Sequence, residues 1–293
     1  SGSLRAAVAA THRQFEVNEQ HDAHEFFCAA MDAVDEEAKN AKVGYVPSWR
    51  TFGGAMEVEV RCDCCNHLVS RRDEAFKDLL VPAPEGGNPI ALEDVLARIS
   101  IPHACLRTSC DGETATETRR LTKLPRVLIV HLSRAVLVTT AGTVSVGKSK
   151  TVVKIPSTTS LDALTLPDSR ADEARALYRL RTVVSHLGES TRHGHYVAHV
   201  RGAGDDWYRC DDADVEAMSA DRAASEYGGD WCIAALELEE EDASRAGDAL
   251  RDDTTDKPAS AASPSAVPSA ATPSATPSAT PSAAPAAPRR GTR

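Results

Sequence analysis

A histidine and two aspartates in the last third of the sequence have the types and spacing that acid–base chemistry needs. His195 lies between Gly194 and Tyr196, and Asp211 and Asp212 follow at the end of a short apolar run. An imidazole with a pKa near neutrality can accept and return a proton, and a carboxylate on its other nitrogen fixes its tautomer and orientation. This pattern is typical of the base and orienting acid of a cysteine protease, which leaves the nucleophilic cysteine to be found.

Four of the eight cysteines form two close pairs. Cys62 and Cys65 form a C-x2-C pair, and Cys105 and Cys110 form a C-x4-C pair. Such pairs are typical of zinc knuckles that converge on one ion, so we expect a zinc site here rather than disulfides. Thiolates kept for a metal indicate a reducing compartment, the cytoplasm or the nucleus. Unconnected buried thiols are the alternative interpretation.

A helix is predicted for residues 20–35. Its apolar residues recur at helical spacing and define one stripe. They are Ala23, Phe26, Phe27, Ala30, Met31 and Val34. Asp22 and Glu25 lie three residues apart near its start, where the helix dipole favours carboxylates. An ordinary solvated helix start would contain such residues as well.

Four later segments have the composition of strands: residues 126–132, 178–186, 195–201 and 231–238. Their mixture of continuous and alternating apolar residues predicts a largely antiparallel sheet with one covered face. Helices early and strands late predict an α+β fold. We expect residues 57–122, which include both cysteine pairs, to form an inserted zinc-bearing subdomain.

Composition excludes two classes of partner. The formal net charge is -10 and the isoelectric point is near 5.5, which argues against nucleic acid because binding to phosphates needs clustered Lys and Arg. No stretch approaches the roughly 20 apolar residues of a membrane span, so we expect no membrane partner. Residues 239–293 are acidic and then rich in Ala, Ser, Pro and Thr. We predict a disordered tail there, because large apolar side chains are missing.

Several motifs, taken in order over about residues 12–238, resemble those of the ubiquitin-specific proteases. They are QHDAHEF (20–26), the cysteine pairs, SRRDEAFKDL (70–79), LPRVLIVHLSR (124–134), YRLRTVVSHLG (178–188), GHYVAHV (194–200) and WYRCDDADV (207–215). The resemblance implies a papain-like cysteine protease fold with a palm and zinc-bearing fingers, the thumb being largely missing from this chain. It also implies hydrolysis of isopeptide bonds at the C-terminus of ubiquitin, with ubiquitin and ubiquitinated proteins as partners.

The resemblance further implies roles for individual residues. His195 matches the general base of the family and Asp211 the carboxylate that orients it. Asp212, the next residue, matches a second carboxylate that is implicated in some members. Asp22 and Glu25 match acidic positions that face the basic C-terminal tail of ubiquitin, where charge-assisted hydrogen bonds would supply specificity.

The cysteine pairs match the ligands of a structural zinc ion at the tip of the family's fingers: Cys62, Cys65, Cys105 and Cys110. The second pair of the family is usually C-x2-C, so Cys64 and His103 remain alternative ligands. We expect the metal to stabilise the subdomain and to take no part in hydrolysis. Tyr196 and Trp207 either line the channel beside the base or pack in the core.

The catalytic cysteine of the family lies upstream of the QxDAHEF helix, in a Gly/Asn-rich box with an asparagine that helps to build the oxyanion hole. The 19 residues before Gln20 contain no cysteine. We expect Cys28 to be a packed helix residue, and Cys210 and Cys232 to lie in strands, where no helix N-terminus lowers the thiol pKa. None of the three is therefore predicted to be the nucleophile.

Two explanations follow for a base and an acid without a nucleophile. The sequence is either an N-terminally incomplete deubiquitinase or a catalytically inactive ubiquitin-binding scaffold. In both cases we expect these 293 residues alone to be inactive. A zinc-knuckle interaction module unrelated to ubiquitin is a third hypothesis.

Overall fold

The computed structural model describes residues 2–16, 20–84, 88–107, 109–140, 143–161 and 177–239. The chain divides into two units, 1–256 and 257–293. All described residues belong to the first unit. The tail predicted for residues 239–293 lies outside the described residues, except for its first residue.

The helices lie mainly at the start of the chain. They are α1 (Gly2–Thr11), a 3₁₀ turn (Arg13–Glu16), α2 (Ala23–Asn40), α3 (Pro47–Phe52), α4 (Leu92–Ala97) and α5 (Ala220–Tyr227). The first six strands are β1 (Gly54–Cys62), β2 (Leu68–Phe76), β3 (Leu79–Pro82), β4 (Ile90–Ala91), β5 (Arg98–Pro102) and β6 (Thr114–Lys123). The next five are β7 (Val127–Ser133), β8 (Ala135–Thr140), β9 (Thr143–Lys148), β10 (Val153–Lys154) and β11 (Thr158–Ser160). The last five are β12 (Leu177–Leu187), β13 (His195–Arg201), β14 (Trp207–Asp211), β15 (Asp214–Met218) and β16 (Trp231–Leu238).

Helix α2 begins at Ala23 because Asp22 caps it: the Asp22 carboxylate accepts hydrogen bonds from the backbone N–H groups of His24 and Glu25. The helix was predicted to begin at residue 20 and to end at 35, whereas it continues to Asn40. The apolar stripe was also partly wrong. Val34 is exposed, because it lies one turn beyond the part of α2 that packs with α1 and the 3₁₀ turn.

Two antiparallel sheets contain most of the strands. Four strands in the order β2-β1-β6-β5 form the smaller sheet, which we call the fingers sheet. The larger sheet has the order β15-β14-β13-β12-β16-β7-β3, and β11 pairs with β12. Its neighbours are antiparallel except β3 and β7, which are parallel. Strand β3 falls within residues 57–122 but pairs in the larger sheet, so the fingers sheet and the predicted insert share most, and not all, of their residues.

The core follows from the apolar composition of the central strands. Leu128, Val130 and Leu132 on β7 are fully buried, as are Leu180 and Val183 on β12. Trp231 and Tyr178 are the largest fully buried side chains among the described residues. The indole N–H of Trp231 donates to the Val153 carbonyl at 2.7 Å, so the buried polar atom of this ring has a partner. The larger sheet is thereby a rigid support for the residues at the ends of its strands.

Candidate active site

The predicted base and acid lie side by side at the ends of neighbouring strands. His195 is the first residue of β13 and Asp211 the last of β14, and the two strands pair antiparallel. His195 Nε2 and Asp211 Oδ1 form a hydrogen bond. The side chains are 45% and 25% exposed, so the pair opens to solvent. Because Asp211 engages Nε2, the ring presents Nδ1 as the nitrogen for proton transfer.

Asp211 is itself held by a second partner. Arg209 Nη2 donates to Asp211 Oδ2 at 2.7 Å. The hydrogen bond with His195 and then that from Arg209 lower the pKa of Asp211, so the carboxylate stays ionised. Asp212 is exposed and lies in the turn to β15 with φ at 52°, a left-handed conformation that aspartate tolerates. The geometry therefore favours Asp211 over Asp212 as the orienting group.

The segment in front of α2 contacts the strand that begins with His195. Gln20 Nε2 donates to the Gly194 carbonyl at 3.2 Å. The Tyr196 hydroxyl donates to Asp22 Oδ2 at 3.2 Å. These two contacts join the QxDAHEF and GHY motifs, which are far apart in the chain. Tyr196 thus connects the two motifs.

Gly194 and Lys148 determine the backbone conformation of the turn before His195. A Cβ atom on Gly194 would lie 2.2 Å from the Leu187 carbonyl oxygen and 2.3 Å from His186 Nε2. The buried Lys148 ammonium donates to the carbonyls of His186 at 2.5 Å and Gly188 at 2.8 Å. Glycine is required at 194 because the backbone passes too close to the preceding strand for a side chain.

Asp22 and Glu25 are both exposed at the start of α2. One oxygen of Asp22 already accepts the two capping hydrogen bonds, and the other accepts from Tyr196. Asp22 therefore has a structural role that the sequence pattern did not predict. Its exposed charge, together with that of Glu25, gives this edge of the site a negative potential that suits a basic peptide.

Cys28, Cys210 and Cys232, none of which is predicted to be the nucleophile, lie outside the group of side chains around His195. Cys210 is on β14 and Cys232 on β16, both half-buried. Burial raises the pKa of Cys232 to about 12, which leaves its thiol protonated and unreactive. The group of donor atoms around His195 contains Asp211 and Asp212 and, among the described residues, no cysteine. Cys28 was expected to be a packed helix residue, but its Sγ lies 3.7 Å from His24 Nε2.

Trp207 does not line a channel. Its side chain is 2% exposed and belongs to the main core, with its ring centroid 6.0 Å from that of Tyr227. Of the two predicted positions for the indole, the channel and the core, the structure shows the core. Helix α5 covers it, since Ala223 and Tyr227 of that helix belong to the same cluster.

The two cysteine pairs come together at one end of the fingers sheet, with their four sulfur atoms within 4.8 Å of one another. Sγ atoms of Cys62 and Cys110 are 3.7 Å apart, as are those of Cys65 and Cys105. A tetrahedral zinc ion with Zn–S bonds of about 2.3 Å separates its sulfur ligands by about 3.8 Å. A disulfide needs about 2.05 Å. The spacing therefore fits zinc ligands and not disulfides.

The backbone around the sulfur atoms also fits a metal centre. The N–H groups of Cys65 and Cys64 donate to the Cys62 sulfur and lower the pKa of that thiol, which favours the thiolate form. A Cβ atom on Gly112 would lie 2.9 Å from Cys62 Sγ and 3.3 Å from Cys110 Sγ. Among the described residues, neither Cys64 nor His103 belongs to the sulfur cluster. The four cysteines thus provide four sulfur atoms that could hold one metal ion.

The sequence matches one known protein family. The family model described as ubiquitin carboxyl-terminal hydrolase matches residues 2–244. The probable ubiquitin carboxyl-terminal hydrolase 9 of Schizosaccharomyces pombe is 27% identical over 215 residues, which cover 70% of this chain and 36% of the relative. Ubiquitin carboxyl-terminal hydrolase 21 of Arabidopsis thaliana is 30% identical over 232 residues, covering 72% and 29%.

Solved structures show the same fold. In the structure of the SAGA Ubp8/Sgf11/Sus1/Sgf73 DUB module bound to ubiquitin aldehyde, one chain superposes with a TM-score of 0.61 at 18% identity, covering 80% of this chain and 52% of that one. In the module bound to monoubiquitin the TM-score is 0.60, also at 18% identity, with the same coverage. The chain thus spans about half of that matched chain and about a third of the two relatives.

The expected fold class is confirmed by these structures, and the family resemblance is confirmed by the family model and the two relatives. No helix among the described residues combines the length and apolarity that crossing a bilayer requires. The match to the family model extends over most of the sequence and includes the strands that hold His195 and Asp211. The chain belongs to the ubiquitin carboxyl-terminal hydrolase family, as a member of its ubiquitin-specific proteases.

Proposed function

We propose that the protein is a cysteine-type deubiquitinase that hydrolyses isopeptide bonds at the C-terminus of ubiquitin. The observation that carries this proposal is the His195–Asp211 hydrogen bond at the open end of β13 and β14. In a protein of this family, His195 Nδ1 takes the thiol proton of the nucleophile and later gives a proton to the leaving lysine amine. Asp211 keeps Nε2 protonated and fixes the ring.

The reaction proceeds through a covalent intermediate. The thiolate attacks the carbonyl carbon of the terminal glycine of ubiquitin, and the lysine amine leaves with the proton from His195. Water then hydrolyses the thioester, with His195 as the base. The ionised Asp211, held by Arg209, stabilises the imidazolium that forms in both steps.

The nucleophile of this reaction is proposed to lie outside these 293 residues. None of the eight cysteines belongs to the group around His195, within the part of the chain that the structure describes. These residues alone are then expected to be inactive. The same observation favours the second candidate function, a ubiquitin-binding scaffold without catalysis.

The four-cysteine cluster is proposed to hold a structural zinc ion. Cys62, Cys65, Cys105 and Cys110 would supply four thiolates, and the ion would fix the end of the fingers sheet. Thiolate ligation needs a reducing compartment, so the cytoplasm or the nucleus is the proposed location.

Ubiquitin is the proposed partner, with its basic C-terminal tail lying along Asp22 and Glu25. Both carboxylates are exposed, and Asp22 accepts a hydrogen bond from Tyr196, the residue after the candidate base. The Ubp8 modules that share this fold were solved with ubiquitin bound. Carboxylate–arginine pairs are among the stronger hydrogen bonds that a peptide tail can make.

A binding experiment with charge-neutral variants tests this partner. Asp22→Asn keeps an oxygen for the helix cap and removes the charge. Glu25→Gln removes the charge of a side chain that takes no part in the cap. We expect immobilised ubiquitin to retain the wild-type chain, and the double variant to bind at least about tenfold more weakly because charged hydrogen bonds contribute about 1.5–3 kcal/mol each. Asp32→Asn, on a later turn of α2, is the control and should bind normally.

An activity assay separates the two candidate functions. The 293-residue chain should release no fluorophore from a C-terminal ubiquitin conjugate, whereas a longer gene product with an upstream cysteine should do so. Loss of that activity in His195→Ala would support the enzyme. Ubiquitin binding without turnover in every natural form of the protein would favour the scaffold, and no ubiquitin binding by a folded chain would contradict both.

A further inference from the structure

A second cluster of metal-binding side chains lies at the first turns of α2, away from the four cysteines. His24 and Cys28 are one helical turn apart on α2, and Asp78 lies in the connection between β2 and β3. One donor atom from each of the three lies within 4.8 Å of the others. The side chains of His24 and Asp78 are 20% and 24% exposed, so solvent reaches the cluster.

We propose that His24, Cys28 and Asp78 form a second zinc-binding site. Both partners of the imidazole lie nearest to the same nitrogen: Asp78 Oδ2 is 2.8 Å from His24 Nε2, and Cys28 Sγ is 3.7 Å from Nε2 and 4.0 Å from Nδ1. A nucleophile–base–acid triad needs the thiol and the carboxylate at opposite ring nitrogens. Three donors around one point are instead the arrangement of metal ligands.

The distances are close to those of a tetrahedral ion. With Zn–N and Zn–O bonds of about 2.0 Å and a Zn–S bond of about 2.3 Å, the N–S edge is about 3.6 Å and the N–O edge about 3.3 Å. The sulfur atom already lies at 3.7 Å from Nε2, within the expected separation. The carboxylate, at hydrogen-bonding distance from the ring, has to move away by about 0.5 Å, which a rotation of a short, partly exposed side chain allows.

The donor types select the metal. One thiolate, one imidazole and one carboxylate suit zinc, whereas calcium and magnesium require oxygen ligands. Three protein ligands leave the fourth position to water. Zinc binds a thiol and an imidazole only after their metal-binding atoms lose their protons, so zinc binding at such a site releases protons.

An ion at this site would join two parts of the fold. Asp78 lies where the chain passes from the fingers sheet into β3 of the larger sheet, and His24 lies in the first turn of the helix that Asp22 caps. The ion would therefore fix the start of α2, and with it the Asp22 contact to Tyr196, against the sheet. Zinc binding by His24, Cys28 and Asp78 would not require ubiquitin.

Zinc stoichiometry tests the proposal. The full chain is stripped of metal under reducing conditions, incubated with excess Zn²⁺ at pH 8, gel-filtered and analysed for zinc. We expect two ions per wild-type chain and one per Cys28→Ala chain, which keeps the His24–Asp78 hydrogen bond. Cys232→Ala, which changes a half-buried thiol outside both clusters, should retain two. Metal-free circular dichroism and melting curves establish that the variants fold equally.

Cobalt provides a second measurement. When Cys62, Cys65, Cys105 and Cys110 are all replaced by serine, no thiolate is left at the four-cysteine cluster. Co²⁺ should still give this quadruple variant a thiolate charge-transfer band, weaker than that of the four-thiolate site, and the band should vanish when Cys28→Ala is added. Equal zinc content in wild type and Cys28→Ala, or a Co²⁺ band in the quadruple variant that Cys28→Ala leaves unchanged, would overturn the second site.

Discussion

His195 and Asp211 depend on residues that take no part in proton transfer. Arg209 holds the outer oxygen of Asp211, so the inner oxygen faces the imidazole. Lys148, whose side chain is 1% exposed, fixes the backbone of the turn before His195 and pairs with Asp230. A buried lysine with three oxygen partners is costly to disturb, because its loss leaves buried acceptors unpaired.

The close approach at Gly194 gives the first prediction. Gly194→Ala should lower the free energy of unfolding by about 1–3 kcal/mol, because the new methyl group overlaps the Leu187 carbonyl and the His186 ring. Urea unfolding of both proteins measures this. Gly229→Ala is the matched control, since a Cβ atom there meets nothing within 4 Å. Equal decreases in the free energy of unfolding for the two variants would show that the overlap of the new methyl group with Leu187 and His186 does not destabilise the fold.

At the scale of the elements, pairs of oppositely charged side chains connect neighbouring strands of the fingers sheet, in addition to the cysteine cluster at its end. Glu59 on β1 accepts hydrogen bonds from Arg61 of the same strand and from Arg71 of the paired strand β2. The hydrogen bond from Arg61, and then that from Arg71, lower the pKa of Glu59 to about 2. The carboxylate therefore stays ionised across the whole neutral and mildly acidic range.

This pKa gives a prediction about acid stability. A carboxyl group whose pKa is lower in the folded than in the unfolded state stabilises the fold above its ordinary pKa, and this contribution is lost as the pH falls towards the folded value. Wild type should therefore be more stable than Glu59→Gln at pH 7, and the difference should shrink between about pH 4.5 and about pH 2.

Urea unfolding of the two proteins across that pH range is the measurement. Any effect of low pH on the four-cysteine cluster is common to both proteins, so the difference between them isolates Glu59. The exposed Glu113, in the loop before β6, provides the control variant Glu113→Gln, which should change the free energy of unfolding little. A Glu59→Gln difference that stays constant down to pH 2 would contradict the assignment.

At the scale of the whole molecule, the candidate site joins the segment before α2 to one end of the larger sheet. The main hydrophobic cluster includes side chains of β12, β14 and β16, and the smaller one joins α1 and the 3₁₀ turn to α2. The Gln20–Gly194 and Asp22–Tyr196 contacts join the segment before α2 to β13. These polar contacts, together with the stacking of His24 on His131 of β7, hold the start of α2 against the larger sheet.

The composition of the C-terminal part gives a prediction for the molecule as a whole. Removal of residues 240–293 should shift the melting temperature by less than about 2 °C, because so polar and proline-rich a segment contributes little apolar burial. Glu239 must stay, since its carboxylate pairs with Arg179. Differential scanning calorimetry of the two chains measures the effect. A decrease of many degrees would show that the tail packs on the rest of the protein.

Much of the fold was predictable because it follows from local patterns. The strands around residues 126–132, 178–186, 195–201 and 231–238 all exist with small changes at their ends. Alternating and continuous apolar residues determine strands wherever one face is buried. The first residue of α2 was less predictable. The helix begins after Asp22 because the Asp22 side chain accepts capping hydrogen bonds, and a polar residue alone does not mark such a cap.

The sequence by itself determined the family, the strands of the larger sheet and the chemical types at the site, since each is encoded by residue identity at short spacing. Tertiary structure alone decided that Asp211 rather than Asp212 meets His195, that Trp207 is buried, and that Cys28 lies beside His24 and Asp78. Each of these depends on which strand or turn a side chain occupies relative to residues far away in the chain. Such distances arise from packing, which no local pattern records.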